Sequence, residues 1–373
     1  MGLTSYWYDQ EKGVYERNSV SGTLATAVNI MGAIVLVQVL IDYLEVFENI
    51  EQRHRLMVIM SSFKYLQGLL VLNAIVHIWR TDGSYTAIKR QIEKLEEQSR
   101  SNFASSKKID GQFKKLLYFK YSIMAYLYLS VLITSYTVLS RGMNFWTIFR
   151  IVLLANVQYL TYLILFQNFQ MFWKTCRIYS YIELYISCLA EEAILELPSR
   201  NDLKERHLCY KLSWLLQLHS NLGSCLRRLQ ILCKSQIFQC RYNVNVNDII
   251  AVYYAFLYPE YIKDDVAFLI LVVSTNVFNN IDLYLNDNII DMTSQHFTDL
   301  NLALKKFTGV RSYARDLERQ CEEFAIYICN RKLNLKLAGA LNMDRKSWFS
   351  MMSRLVMFSI ILIQSHMYID RQK

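Results

Sequence analysis

The chain has 373 residues, of which 53% are hydrophobic, 14% aromatic and 20% charged, with only 11 glycines and 2 prolines. This composition argues against a loop-rich soluble protein of two or three domains and favours long, uninterrupted helices in an all-α fold. The formal net charge of +9 is explained by basic loops beside membrane helices, so we expect no nucleic-acid partner.

Apolar stretches predict seven membrane-spanning helices. Three segments, 18–41, 121–140 and 151–173, contain no Asp, Glu, Lys or Arg and are each long enough to cross a bilayer. The first lacks the cleavage motif of a signal peptide, so we interpret it as a true helix. The alternative for the other four is a buried helix in a soluble core, which the three uncharged spans argue against. The four weaker candidates are 56–79, 242–259, 266–286 and 347–369.

The distribution of basic residues predicts how these helices are oriented. Three connecting segments are rich in Lys and Arg, and the three that alternate with them are poor. The positive-inside rule places the rich segments in the cytoplasm. The N-terminus is then cytoplasmic and the C-terminus extracellular. The rich segments 80–115, 174–241 and 287–346 carry nine, ten and ten basic residues; the poor segments 44–55, 141–148 and 259–265 carry two, one and one.

Two of the basic segments have the periodicity of amphipathic helices. Their apolar stripes need a partner, and packing within one subunit or between subunits would each supply it. We expect turns at 198–202 and near Thr308 and Gly309. The stripe of the first segment comprises Leu208, Leu212, Leu215, Leu216, Leu222, Leu226 and Leu229; that of the second comprises Phe297, Leu300, Leu304, Phe307, Leu317, Cys321, Phe324 and Ile328.

These patterns divide the chain into five parts. They are 1–173 with four membrane helices, 174–241 as a cytoplasmic helical extension, 242–286 with two membrane helices, 287–346 as cytoplasmic anchor helices, and 347–373 with the last membrane helix and an extracellular end.

Signals of an enzyme or of a bound cofactor are missing from the sequence. No phosphate-binding glycine loop, metalloprotease helix motif or nucleophile elbow occurs, and we expect no cofactor and no metal. The eight cysteines lie in or beside the two large basic segments, where they should be reduced thiols. The six histidines are scattered, and we expect His77 to be bonded to a neighbour and not to act as a ligand.

The C-terminal segment is the most informative part of the chain. A polar approach, Gly339–Lys346, leads into an apolar helix that contains Gln364. A buried amide in a membrane helix is costly unless it meets a partner or water. Gln364 therefore either faces an aqueous space or forms a hydrogen bond between helices of one subunit.

This segment resembles the signature of the insect gustatory receptors, the taste branch of the insect chemoreceptor superfamily. That signature is Thr-Tyr, five apolar residues and Gln-Phe, and it aligns with residues 357–365 here. The apolar run and Gln364 match, Phe358 is a near match, and Met357 and Ser365 depart from the pattern. The seven helices with a cytoplasmic N-terminus are also similar to the family's arrangement. The chain is thus identified as a divergent member.

The resemblance implies a subunit of a ligand-gated, non-selective cation channel, assembled as a homo- or hetero-tetramer around a central pore. It implies that the last helix lines the pore, with Gln364 at the narrow region and Ile361 as an apolar gate. Ser359 and Ser365 flank these positions and face either the pore or protein. The cytoplasmic helices would form a shared anchor.

The resemblance also implies an outward-facing pocket for a small-molecule tastant, in the plasma membrane of a sensory neuron. We prefer a bitter compound or contact pheromone as ligand, because nothing is similar to the sugar receptors. For each aromatic pocket candidate, the alternative to ligand binding is packing between helices. For the charged Lys64 and Arg150, the alternative is that the side chain extends toward water. Membrane lipid is a further expected partner. The pocket candidates are Tyr65, Gln67, Tyr136, Arg150, Gln158, Tyr253, Tyr254 and Phe268.

Two other classes of membrane protein compete with this interpretation. A seven-helix G-protein-coupled chemoreceptor would need an extracellular N-terminus, which the basic segments oppose, and the chain lacks that class's Asn-Pro-x-x-Tyr motif near its end. A transporter would favour helices broken by Gly and Pro around ion sites, whereas only Pro259 lies beside a span.

Overall fold

A computed structural model describes most of the chain. The described residues are 6–9, 14–17, 19–49, 55–103, 106–139, 144–196, 202–257, 266–310, 315–330, 336–337, 341–342 and 344–371.

Long α-helices make up nearly all of this structure. Two of them, 52 and 56 residues long, extend about 78 and 84 Å, more than twice the thickness of a bilayer's hydrocarbon core. Each must therefore project well beyond any membrane that it crosses. The helices are α1 Ser19–Asn49, α2 Arg55–Asn102, α3 Lys107–Leu139, α4 Phe145–Glu196, α5 Asp202–Leu257, α6 Val266–Leu304, α7 Arg315–Asn330 and α8 Arg345–Arg371, with a 3-10 helix at Lys305–Val310 between α6 and α7.

The described residues are almost wholly helical, as expected, and two short antiparallel strand pairs accompany the helices. Strand β1 (Tyr6–Asp9) pairs with β2 (Val14–Arg17). Strand β3 (Lys336–Leu337) pairs with β4 (Leu341–Asn342). The first pair is rich in Tyr, Trp and Val, which favour extended backbone. Four-residue strands are too short to show clear alternation, so the sequence pattern did not reveal them.

Three helical segments in the described residues have the length and hydropathy needed to cross a membrane. They are Lys107–Ile133, Phe145–Leu195 and Arg345–Ser365, and two shorter apolar segments are Thr26–Ile41 and Tyr65–His77. These five correspond to predicted spans three, four, seven, one and two. The count of seven spans and the inverted orientation stay predictions.

The apolar stripes of the two basic segments pack within a single subunit. We call residues 176–193, 202–237, 289–307 and 315–330 the hairpin bundle. In it α7 packs against α5 and α6, and α4 packs against both of those helices. Leu226 and Phe324 are completely buried there, and Phe297 is 2% exposed. Of the two packing arrangements left open above, the structure thus shows the one within a subunit.

The bounds of the helices show how far the two predicted turns lie within the described residues. Helix α4 ends at Glu196 and α5 begins at Asp202, so the turn predicted at 198–202 falls almost wholly outside the described residues. Thr308 and Gly309 lie in the 3-10 helix that ends α6. The expected bond of His77 is confirmed, since its Nε2 lies 3.1 Å from the carbonyl oxygen of Leu232 on α5.

Candidate pore helix and buried polar layer

The start of α8 is fixed to α6. The backbone N–H of Ser347 donates to Asp344 Oδ1 at 2.7 Å, which caps the first turn of the helix. Arg345 Nε donates to Asp291 Oδ2 on α6, also at 2.7 Å. The polar approach that precedes the apolar helix therefore both begins the helix and attaches it to its neighbour.

Aromatic packing continues this attachment along the next turns of α8. The ring of Trp348 lies 5.1 Å from that of Tyr284 on α6, in an edge-to-face arrangement. Trp348 and Met351 also pack on a small apolar cluster drawn from three helices. The first half of α8 is thus seated on the body of the subunit. The cluster comprises Leu165, Cys240, Val244 and Leu283.

The second half of α8 is largely uncovered. One side turns toward protein, where Leu355 and Ser359 are only 7% and 5% exposed. The opposite side carries Met357, Ile361 and Tyr368, which are 52%, 47% and 64% exposed. Because these positions repeat at intervals of three or four residues with the exposed Gln364 among them, they form one continuous stripe. We call Met357, Ile361, Gln364 and Tyr368 the α8 stripe.

The four pore candidates fall into two groups. Ile361 and Gln364 belong to the α8 stripe, and Gln364 makes no hydrogen bond to the described residues of its own chain. The described residues thus supply no partner for the intrasubunit hydrogen bond that was considered for Gln364. Ser359 faces protein, which is one of the two orientations left open above. Ser365 is half-buried, and its hydroxyl donates to the carbonyl oxygen of Ile361 at 2.7 Å.

A layer of buried polar side chains ties the other helices together. Lys120 on α3 and Asp282 on α6 are almost fully buried, with Nζ 2.5 Å from Oδ1, and the Lys120 ammonium also lies 5.2 Å from the ring centre of Phe169 on α4. Buried charges persist in proteins when they are paired in this way. Three helices thus meet at this lysine.

The helix α6 makes two further polar contacts with α5. Arg241 donates to Asp287 in a second buried ion pair. Asn280 donates through Nδ2 to Asp248 Oδ2 at 2.6 Å. The carboxylate of Asp248 thus meets a side-chain amide of the neighbouring helix.

The layer extends to α2 through Gln67. Its side-chain amide donates to Asn243 Oδ1 and, at 3.3 Å, to Asn247 Oδ1, both on α5. At 1.5 Å of rise per residue, Gln67 lies about 18 Å from the end of α2 at Arg55, and Lys120 about 28 Å from the end of α3 at Leu139. The polar layer therefore runs from the middle of predicted span 56–79, at Gln67, to the edge of predicted span 121–140, at Lys120.

The ligand-pocket candidates are only partly placed. Gln67 takes part in the polar layer, and Tyr65 beside it is half-buried. Arg150 is exposed near the start of α4. Gln158 Nε2 lies 3.3 Å from the hydroxyl of Tyr162 on the same helix. No hydrogen bond joins any of these four candidates to another among the described residues. The side chains of Lys64, Tyr136, Tyr253, Tyr254 and Phe268 lie outside the described part of the structure.

Sequence reasoning missed most of the polar layer, although a signal was present. Asp282 lies inside a predicted span and Lys120 one residue before another, and ionisable residues at such positions are rare unless they pair. Opposite charges on two spans could have been matched by their depth. The amides of Asn243 and Asn280 gave no comparable signal, because their partners depend on how the helices pack.

Comparisons with known proteins agree with the architecture. Residues 1–369 match the family described as 7tm chemosensory receptor. A curated relative, the gustatory receptor for bitter taste 22e of Drosophila melanogaster, is 22% identical over 177 residues. That alignment covers 47% of this chain and 46% of the relative, so the chain spans about half the length of the curated relative that it matches. This family is one of receptors and not of enzymes. On the match over nearly its whole length, the chain belongs to the 7tm chemosensory receptor family.

Proposed function

We propose that this chain is a subunit of a ligand-gated, non-selective cation channel, in which four copies of α8 surround a central pore. The observation that carries the proposal is the α8 stripe, an apolar face with one amide that the described part of its own subunit leaves largely exposed. A membrane helix facing only lipid has no need of the Gln364 amide, whose burial in hydrocarbon is costly. Four symmetric copies of α8 around a water-filled pore would place the Gln364 amide in contact with water.

The proposed gate is the ring of Ile361 side chains. A constriction lined by aliphatic groups loses its water and blocks ions until the helices move apart. Gln364, one turn farther along the same stripe, supplies an uncharged polar ring through which hydrated cations pass. Movement of α6 would reach the gate through the bond of Arg345 to Asp291 and the packing of Trp348 on Tyr284.

The proposed ligand is a bitter compound or a contact pheromone, recognised on the extracellular side of the plasma membrane of a sensory neuron. The relative from Drosophila melanogaster is named as a receptor for bitter taste, which supports the first of these. We expect the pocket to lie above the polar layer, among the outer halves of the helices. Other gustatory receptor subunits, identical or different, are the expected partners in the tetramer.

Replacement of Ile361 by Ser tests the pore assignment. A polar ring would keep the constriction hydrated, so we expect ligand-independent current in expressing cells to rise several-fold, measured by whole-cell recording. Val356→Ser is the matched control, because Val356 is exposed to a similar degree, at 55% against 47% for Ile361, but points about 140° away from Ile361 around the helix and lies outside the α8 stripe. An unchanged baseline in Ile361→Ser, or an equal rise in both variants, would contradict the gate.

The same cells test the ligand and the orientation. Calcium imaging against a panel of bitter compounds and cuticular hydrocarbons, with and without candidate partner subunits, identifies the ligand class. A tag placed at the C-terminus should be stained by antibody in intact cells. Staining that appears only after permeabilisation would contradict the proposed orientation and with it the route of the ligand.

A further inference from the structure

A cavity of about 360 Å³ lies where α3, α4 and α6 diverge. None of the pocket candidates named from the sequence lines it. Leu116 marks its end nearest the predicted span 121–140 and lies about 8 Å from the start of that span. The cavity therefore begins beside the membrane surface on the side that the basic residues place in the cytoplasm. Its volume is in the range of small-ligand sites.

One part of the cavity wall is polar and preorganised. His296 on α6 lies between two residues of α4, with Nδ1 2.9 Å from Glu183 Oε2 and Nε2 3.3 Å from Ser180 Oγ. Lys306 Nζ donates to Ser187 Oγ, a further lining group, at 3.0 Å. These bonds fix the polar groups in place before any ligand arrives.

Two ammonium groups lie at the cavity beside one carboxylate. Among the described residues that line it, Glu183 is the one carboxylate, and it already accepts a hydrogen bond from His296. Lys108 lines the mouth and forms no ion pair or hydrogen bond with the described residues, and Lys306 adds a second ammonium through its bond to Ser187. The N-terminal end of α3, which begins at Lys107, adds partial positive charge at the same mouth. An anionic group would be favoured here.

The rest of the wall is apolar and faces the membrane end. It has an aromatic ring, a thioether and aliphatic chains, and it begins where an acyl chain would leave the bilayer. The apolar lining comprises Ile109, Phe113, Leu116, Leu184 and Met292.

We propose that this cavity binds an anionic phospholipid of the adjacent leaflet, with its phosphate between Lys108 and Lys306 and the first part of an acyl chain along Phe113 and Leu116. The cavity is too small for two full acyl chains, so the remainder of the lipid stays in the bilayer. The site lies on a different side of the polar layer from the proposed tastant pocket. It does not depend on the chain being a channel.

Direct lipid binding tests this site. Purified full-length protein in a neutral detergent is titrated with dioctanoyl phosphatidic acid and followed by native mass spectrometry and thermal melting. Dioctanoyl phosphatidylcholine and dodecanoate serve as the zwitterionic and single-chain probes. We expect phosphatidic acid to bind and phosphatidylcholine to bind at least tenfold more weakly, because a choline ammonium would offset the phosphate charge.

Matched variants separate a site from general attraction to basic surface. Lys108→Gln/Lys306→Gln should weaken phosphatidic acid binding at least tenfold, because both ammonium contacts to the phosphate would lose their charge. Lys107→Gln/Lys115→Gln removes the same charge from exposed positions of α3 that do not line the cavity, and should leave binding within about twofold. All four lysines are exposed, and unchanged melting of the unliganded variants checks that they fold.

Three outcomes would overturn the proposal. Equal loss in both double variants would mean attraction to the basic surface as a whole. Equal binding of phosphatidylcholine would mean that charge does not decide recognition. Binding of dodecanoate without phosphatidic acid would assign the cavity to a free carboxylate instead of a phospholipid. None of these measurements involves current, so failure here leaves the proposed channel function untouched.

Discussion

The hairpin bundle buries its apolar stripes within one subunit, whereas the second half of α8 leaves its apolar side chains largely exposed. In the hairpin bundle, Leu226 and Phe324 have no exposed surface in a single subunit, whereas Ile361 on α8 is 47% exposed. The apolar stripes of the bundle are thus covered within one copy of the chain. The apolar surface of α8 needs something outside the subunit, either lipid or further copies. The difference separates the part that keeps one subunit folded from the part that assembly would use.

The largest expected effect comes from breaking the buried ion pair that joins the membrane helices of one subunit. Lys120→Met leaves the carboxylate of Asp282 buried without its cation, and we expect the free energy of unfolding to fall by about 3–5 kcal/mol. Thermal melting in detergent, followed by fluorescence-detected size exclusion, measures this. Lys114→Met, at an exposed position of the same helix, is the control.

A second variant tests whether the loss of stability comes from the unpaired carboxylate of Asp282. Lys120→Met/Asp282→Leu replaces both partners by apolar groups, which is often nearly neutral, so most of the melting temperature should return. If the double variant melts as low as Lys120→Met, the pair stabilises the subunit through its contacts and geometry and not by mutual neutralisation.

A somewhat smaller effect should follow from a cavity in the hairpin bundle. Leu226→Ala removes a fully buried side chain from α5 and should cost about 2–5 kcal/mol. Ile231→Ala on the same helix alters a residue that is 62% exposed and should cost less than about 0.5 kcal/mol. Comparison of the two melting curves checks this. Similar losses at both positions would mean that another subunit covers Ile231, and the bundle would then not be complete as one copy.

A pH effect of about 2 kcal/mol is expected from His219, which lies in the aromatic centre of the hairpin bundle. Its ring is 4.5 Å from that of Phe297 and 5.3 Å from that of Tyr179. Burial disfavours the charged imidazolium and lowers the pKa of His219 from 6.5 to about 3. Between these values the unfolded chain binds a proton that the folded chain does not. The free energy of unfolding therefore falls as the pH drops below 6.5.

Melting curves at pH 7.5 and pH 5 measure this effect. The wild-type protein should lose about 2 kcal/mol from His219 on acidification, which is 1.36 kcal/mol for each pH unit below 6.5. His219→Phe keeps an aromatic ring in the cluster and removes the titrating group. The other ionisable residues are common to both proteins, so the variant should lose less stability than the wild type by that amount. Identical pH dependence would mean that His219 is protonated in the folded state.

The sequence supported the helices of the hairpin bundle because leucines such as Leu215 and Leu222 recur at helical spacing, and a buried stripe has no other local signature. The sequence did not reveal whether the stripe packs within the same subunit or against another, because both arrangements require the same spacing of apolar residues. For α8 the sequence identified Gln364 as unusual. The direction in which Gln364 points depends on how α8 packs on α5 and α6, which the sequence pattern does not specify.

The polar layer shows a different limit. A charged residue within a predicted span, such as Asp282, indicates that a partner is present. A hydrogen bond between an amide and a carboxylate, such as that from Asn280 to Asp248, depends on the relative rotation of two helices. A rotation of one helix by one residue moves each side chain by about 100°. Periodicity fixes which face of a helix is apolar, and it does not fix which polar atoms meet across the interface.

The smallest expected effect concerns the bond between Arg345 and Asp291, where α8 joins the body of the subunit. Arg345 is 42% exposed, so the pair is screened by water and should contribute only about 0.2–1 kcal/mol. A double-mutant cycle of Arg345→Ala and Asp291→Ala, read from melting temperatures with Lys346→Ala as the control, measures the coupling. A coupling above about 2 kcal/mol would show that α8 is held rigidly at its base. A small coupling fits a terminal helix whose first half is seated mainly by Trp348, so that its uncovered half remains free to meet its neighbours.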